Sequence, residues 1–294
     1  MIRLVIFFLF LTLWNSISNS VEDNFSIPSP KFCKESSKMM DLNNIDNQKI
    51  KFIEVKLNNS RQWSKNSLKI LIGNFRLISS EFKKRFGAKV IVTYDNNFIC
   101  SLNASIRHSG DQKDHIKLKD NSILQSIDVH LKNGHIQGII KFKLLIPNTR
   151  GSYEDEVFQT TLLRQIGYLA PRTKIIDTSV NGVKSKMIFQ EKSSKELLEY
   201  NLRREGPILE GDERFVFRLA QELPSNHLGN WESGMMKFVE KGIKAMLTKQ
   251  LNSNFALKSD QHKLISENAI SNLNLIYLLW SNNYKDEKNN FYFF

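Results

Sequence analysis

The stretch GIIKFKLLIPNTRGSYEDEVFQTTLLRQIGYLAPRTKIIDTSVNGVKSKMIFQ, residues 138–190, places a strand, a helix and a hairpin in direct succession. A strand over 136–145 ends at Pro147, which cannot donate to a sheet ladder. A helix over 153–166 follows, with Ser152 as N-cap and Asp155 three residues on. Phe158, Leu162 and Ile166 recur every fourth residue on one of its faces, and Gly167 supplies the stop. Asn181 and Gly182 then join strands over 173–180 and 183–190 in a tight hairpin. Working outward, 127–131 pairs with 136–145 around Asn133 and Gly134, and 89–94 pairs with 98–106 around Asp95, Asn96 and Asn97. Residues 51–57 alternate with a period of two, as a half-buried strand does. A further strand is expected over 68–72, and a short basic helix over 80–86 closed by Gly87. Downstream, helices are expected over 194–201, 212–222, 233–249 and 267–280. Many strands with one inserted helix, then mostly helix, make an α+β chain: a β-rich lobe over 49–210 and a helical lobe over 211–294.

At the start of the chain, Arg3 precedes the apolar run 4–14 and the small polar stretch 15–20, the layout of a signal peptide over 1–20. That run is well short of the ~20 residues a membrane-crossing helix needs. Residues 21–48, with Pro28, Pro30 and repeated Asn and Asp, have the composition of a flexible arm. Export to the periplasm, the cell envelope or the exterior is therefore expected, with no transmembrane span; the run 273–280 fits a buried helix or strand. Cys33 and Cys100 are the only cysteines. Export permits them to pair, and the pairing stays open at this point. The net charge of +12 is spread as lysine among Asn, Ser and Ile. No element clusters Arg and Lys with aromatics, which argues against a nucleic-acid partner. No P-loop, HExxH, GxSxG or CxxC occurs.

Several motifs stand in a telling order: Arg107, GDQKDHI (110–116), the strand ending in Leu131 and Lys132, GIIKFKLLIPNTR (138–150), EDEVF (154–158), APRTKIIDTSVNG (170–182), FQEK (189–192) and RREGPIL (203–209). Together, over roughly residues 88–215, they resemble the spore coat protein H (CotH) kinase-like family. The resemblance implies an atypical protein-kinase-like fold, with a β-rich N-lobe holding an inserted helix and a helical lobe after it. It implies ancestral phosphorylation of protein serine or threonine, with ATP and a divalent metal, Mg or Mn, as cofactors and a secreted or envelope protein as substrate. In the family, an Asn and aromatic residues lead to a metal-binding aspartate. Asn290, Phe291, Tyr292 and Phe293 resemble that approach, and the sequence stops at Phe294. An incomplete or inactive kinase is thus expected of this chain, the alternative being a non-catalytic binding or structural module of the envelope. The sequence does not address oligomeric state.

A kinase-like lobe needs a strand lysine to neutralise phosphate and a helix glutamate to hold that lysine. The resemblance points to Lys141 and Glu156, although Glu156 also reads as a first-turn glutamate complementing the helix dipole. Lys132, Lys143, Arg107, Arg150 and Glu191 are further candidates, Arg150 for phosphate or for pairing a carboxylate and Glu191 for the hinge. Gly110, Asp111, Asp114 and His115 form a loop cluster that either binds metal or phosphate or, the favoured reading, organises the loop through Asx turns. The family carries Arg and Lys where this chain has Asp128 and His130, so a cationic pair is missing from that strand.

Overall fold

The computed structural model describes Cys33 and residues 49–75, 78–149, 154–212 and 247–283. The expected signal peptide over 1–20, nearly all of the expected arm, Arg150, Ser152, Asn290 to Phe294 and the helix expected over 212–222, beyond its first residue, lie outside these. The described residues are an α+β arrangement whose centre is a closed seven-stranded barrel.

The barrel strands are β1 (Ile50–Leu57), β2 (Phe86–Tyr94), β3 (Ile99–His108), β6 (Ile127–Leu131), β7 (Lys141–Leu145), β8 (Thr173–Val180) and β9 (Val183–Glu191). They are ordered β1-β2-β3-β6-β7-β9-β8. All neighbours are antiparallel except β1 and β8, whose parallel pairing (Phe52 opposite Asp177, Val55 opposite Val180) closes the ring and leaves no free edge. A small hairpin, β4 (Ile116–Lys119) with β5 (Ser122–Gln125), sits beside it. Strand alternation sends Ile53, Val55, Val90, Leu102, Val129, Phe142 and Phe189 into one interior cluster, with the Phe142 and Phe189 rings 4.7 Å apart.

The expected hairpins over 89–106, 127–145 and 173–190 are present, with Asn97, Asn181 and Gly182 at positive φ in their turns. In the middle one the exit strand begins only at Lys141, because 132–140 forms a folded loop held by an Ile136–Ile139 bridge. Gly134 of that loop has φ +67, and a Cβ there would lie 2.1 Å from the Cys33 carbonyl oxygen. Only glycine admits that approach. The same carbonyl accepts from His135 N at 2.9 Å, and Cys33 is disulfide-bonded to Cys100 of β3.

Two expected elements before β3 are corrected. The strand over 68–72 is the end of a helix, α1 (Ser60–Ile72). Asn59 caps it by accepting from Gln62 N, and Trp63, Ser67 and Ile70, spaced four and three, are its buried residues. The basic helix over 80–86 shrinks to a 3-10 turn at Ser80–Phe82, since Phe86 and Gly87 are already paired in β2 with Ile106 and Ser105.

The inserted helix is α2 (Asp155–Gln165). Its Phe158, Leu162 and Ile166 stripe points outward, at 66%, 47% and 60% exposure, while Thr160 is the buried residue of the helix. After β9 come α3 (Lys195–Tyr200), β10 (Leu209–Asp212), β11 (Leu247–Gln250) and α4 (Asp260–Asn283). Residues 247–250 are therefore strand where the helix over 233–249 was expected to end, and Asp212 closes β10 instead of opening a helix. The helix over 267–280 is present in longer form, with Leu275, Ile276 and Leu279 about half exposed where burial was expected. Glu205, before β10, pairs with Lys258, before α4. No helix among the described residues is long and apolar enough to cross a membrane.

Candidate functional site

Because Ile106, Val129, Phe142 and Phe189 point inward, their neighbours Arg107, Asp128, Lys143 and Gln190 point outward. Register aligns these four into one row across β3, β6, β7 and β9: Arg107 opposite Asp128, Asp128 opposite Lys143, Lys143 opposite Gln190. The next row carries Ser105, His130 and Lys141. α2 lies over the end of the first row, where Glu156 accepts a hydrogen bond from Gln190 Nε2. Glu156 thus turns onto the barrel wall, away from the Phe158 stripe, and its row position is that of Lys143, with Lys141 one row further along.

The centre of this wall is Asp128, buried at 3% exposure. Arg85 Nη2 donates to its Oδ1 at 2.7 Å and Lys192 Nζ to its Oδ2 at 2.7 Å; Arg107 Nη2 stands 3.6 Å from Oδ2. Arg85 is itself anchored by Nη1 donating to the Ser105 carbonyl at 3.0 Å. Burial alone pushes the Asp128 carboxyl up, but the charge and hydrogen bonds of Lys192 and Arg85 outweigh it and bring the carboxyl down to about 2. His130 is held below its ordinary range, first by burial and then by Lys141, Arg85 and Lys132. The wall is therefore positive even with Asp128 ionised. Arg107 Nε is buried and makes no hydrogen bond among the described residues.

Glu191 lies elsewhere. It points into the mouth of the barrel at 2% exposure and takes a bidentate pair from Arg172, Nε to Oε2 and Nη2 to Oε1, both at 2.8 Å. Arg172 also donates to the Gln137 carbonyl at 2.7 Å and stacks over Tyr200 at 3.9 Å. Fully paired, Glu191 is a fixed strut of the barrel mouth.

The loop cluster does not converge on a ligand. Asp111 pairs with Lys83, Asp114 is exposed, and His115 Nδ1 meets Ser126 Oγ at 3.0 Å. Gly110, at φ +103, passes so close beneath the His115 ring that a Cβ would collide with it. Among the described residues no three His, Cys, Asp or Glu side chains come together to hold a metal ion. The donor set of the wall is cationic, which suits an anion and not Mg²⁺ or Mn²⁺.

Arg85, Lys192 and Arg172 were not among the expected site residues. Their partners are 43, 64 and 19 residues away in sequence, and no local pattern marks them.

His108, next to Arg107, is buried at 1% exposure. Its Nδ1 meets Gln125 Oε1 at 3.3 Å, and its Nε2 has no partner among the described residues. Burial lowers it to about 4, the Gln125 bond opposing, His115 and Lys83 adding to the fall and Asp111 resisting it. The unfolded chain takes this proton near pH 6.5, so the contribution to stability is full above that pH. It is lost as pH falls toward 4, by on the order of 3 kcal/mol. Thermal midpoints from pH 7.5 to 4.5 are expected to drop in the native protein and to drop less steeply in His108→Asn, where the lowered His130 still contributes a share of the same sign. Equal slopes in the two proteins would remove His108 as the cause. Asp128 does not titrate in that window.

No family model matches the chain, and no curated protein matches it.

Proposed function

We propose that this chain is an exported protein with a CotH kinase-like lobe that has given up phosphoryl transfer and works as a binding module at the cell envelope. The observation that carries this is the Asp128 cluster. Cations that a kinase-like lobe would turn toward phosphate are here turned onto a carboxylate of the protein itself. Glu156 laid on the barrel wall and bonded to Gln190, the cross-strand neighbour of Lys143, is consistent with the kinase-like ancestry. The Cys33–Cys100 disulfide supports export, since such bonds persist in oxidising compartments. ATP with Mg²⁺ or Mn²⁺ would serve a catalytic version of the lobe. The described residues do not fit the metal: the wall is cationic, and no three His, Cys, Asp or Glu side chains among them come together to hold it.

Thermal denaturation with millimolar ATP and Mg²⁺ or Mn²⁺, paired with a labelled-phosphate transfer assay on a serine-rich acceptor protein, tests the proposal. A ligand at a hundred times its Kd stabilises by about 2.7 kcal/mol, several degrees for a domain of this size. The expected shift is under about 1 °C on that scale, with no label transferred. A shift of several degrees, or label on the acceptor, would put the catalytic kinase back in front.

A further inference from the structure

Both oxygens of the buried Asp128 carboxylate are engaged, by Arg85 and Lys192, and Arg107 stands over one of them. One negative charge answers three positive ones. The three cations keep 37%, 29% and 39% of their side chains open to solvent, so they reach the surface and are not sealed inside the fold. Lys143 is the cross-strand neighbour of Asp128, and Lys141 lies one row away. The Arg107 guanidinium still carries a buried Nε–H with no acceptor among the described residues. A planar carboxylate bonded by one guanidinium and one ammonium, with a second guanidinium beside it, occupies the place, and does the electrostatic work, of a bound tetrahedral oxyanion.

We infer that this wall is a latent oxyanion site, specific for phosphate or sulfate either free or as an ester, and that Asp128 is the built-in anion that keeps it filled. The inference rests on the proposed loss of phosphoryl transfer, because it names the residue that diverts the cations. Removing the carboxylate leaves Arg85, Arg107 and Lys192 facing one another across a vacated space. Partly buried like charges repel, so the fold weakens until an anion from solution enters. An entering anion gains charge-assisted bonds from two guanidinium groups and an ammonium, and its remaining oxygens can reach the orphaned Arg107 Nε–H.

The test compares the native protein, Asp128→Ala and Asp128→Asn by thermal denaturation against phosphate, sulfate or chloride at equal ionic strength. Asp128→Ala is expected to melt several degrees lower in chloride and to regain most of that loss in tens of millimolar phosphate or sulfate. Its apparent affinity for phosphate is expected to be about tenfold or more above that of the native protein. Adding Arg85→Gln to Asp128→Ala should abolish the recovery. Asp128→Asn keeps the shape of the side chain without its charge, and guards against a variant that fails only through the space it leaves. It should show the same lowering with a weaker recovery. AMP and ATP in place of phosphate separate the sources: equal recovery means that the free oxyanion is recognised, greater recovery means an ester. Recovery by chloride as strong as by phosphate would reduce the effect to screening and overturn the inference. So would equal phosphate shifts in the native protein and both variants. Strong ATP binding by the native protein would instead defeat the proposed function, so the two failures are distinguishable.

Discussion

Arg172→Ala is expected to destabilise the fold by about 3–5 kcal/mol, the usual cost of removing one partner from a buried ion pair. The variant leaves Glu191 at 2% exposure without the two charge-assisted bonds that hold its carboxylate. It also removes the donor to the Gln137 carbonyl and the cation stacked on Tyr200. The pair joins the residue just before β8 to the last residue of β9, and through Gln137 to the loop leading into β7, so three segments of the barrel mouth lose a common tie. Urea unfolding should show a lower midpoint with an unchanged slope. The double variant Arg172→Met with Glu191→Leu is expected to recover most of the loss, because an apolar pair of similar volume carries no desolvation cost. A single variant within about 1 kcal/mol of the native protein would mean that the pair is not desolvated in solution.

Replacing both cysteines by serine is the second large effect. The bridge spans 67 residues of sequence, and the loop-closure estimate for such a length is about 4 kcal/mol. Its removal frees Cys33 from β3 and, among the described residues, leaves the His135 N bond to the Cys33 carbonyl to hold it against the loop around Gly134. Both sulfurs are buried in the barrel core, so serine there adds hydroxyls to an apolar environment as well. Urea unfolding of the native protein with and without reductant should reproduce the difference between native and double-serine proteins. Two free thiols in the oxidised native protein, measured under denaturing conditions, would rule the bridge out.

The strands were legible wherever their chemistry is local. Alternation marked β1, and polar turns at Asn97 and at Asn181 with Gly182 marked two hairpins, because side-chain period and positive φ are decided within a few residues. The run 68–72 misled for the complementary reason. Five residues of Leu, Lys and Ile fit a short strand or one turn of helix equally well, and what decides is the Asn59 cap nine residues upstream together with burial of Trp63 and Ile70. The stripe of Phe158, Leu162 and Ile166 has helical spacing and yet faces outward. Spacing tells which residues share a face and says nothing of what that face meets.

Of the candidate site, the sequence placed Lys141, Lys143 and Glu156 in the right elements, while Arg107, one residue past the expected strand, is in β3. The sequence could not show that Arg85 and Lys192, 43 and 64 residues from Asp128, return their charge to its strand. Nor could it show that Glu191 turns inward to Arg172 while its neighbour Gln190 turns outward to Glu156.

What the sequence by itself determined is most of each barrel strand, the helix between β7 and β8 and the surplus of basic side chains, since propensity, alternation and turn chemistry act between near neighbours. Only the tertiary structure decided that β1 and β8 close the sheet into a barrel, and that one buried aspartate draws together three cations. Both depend on contacts between residues far apart in the chain, whose energies come from register and burial and exist only once the fold has formed.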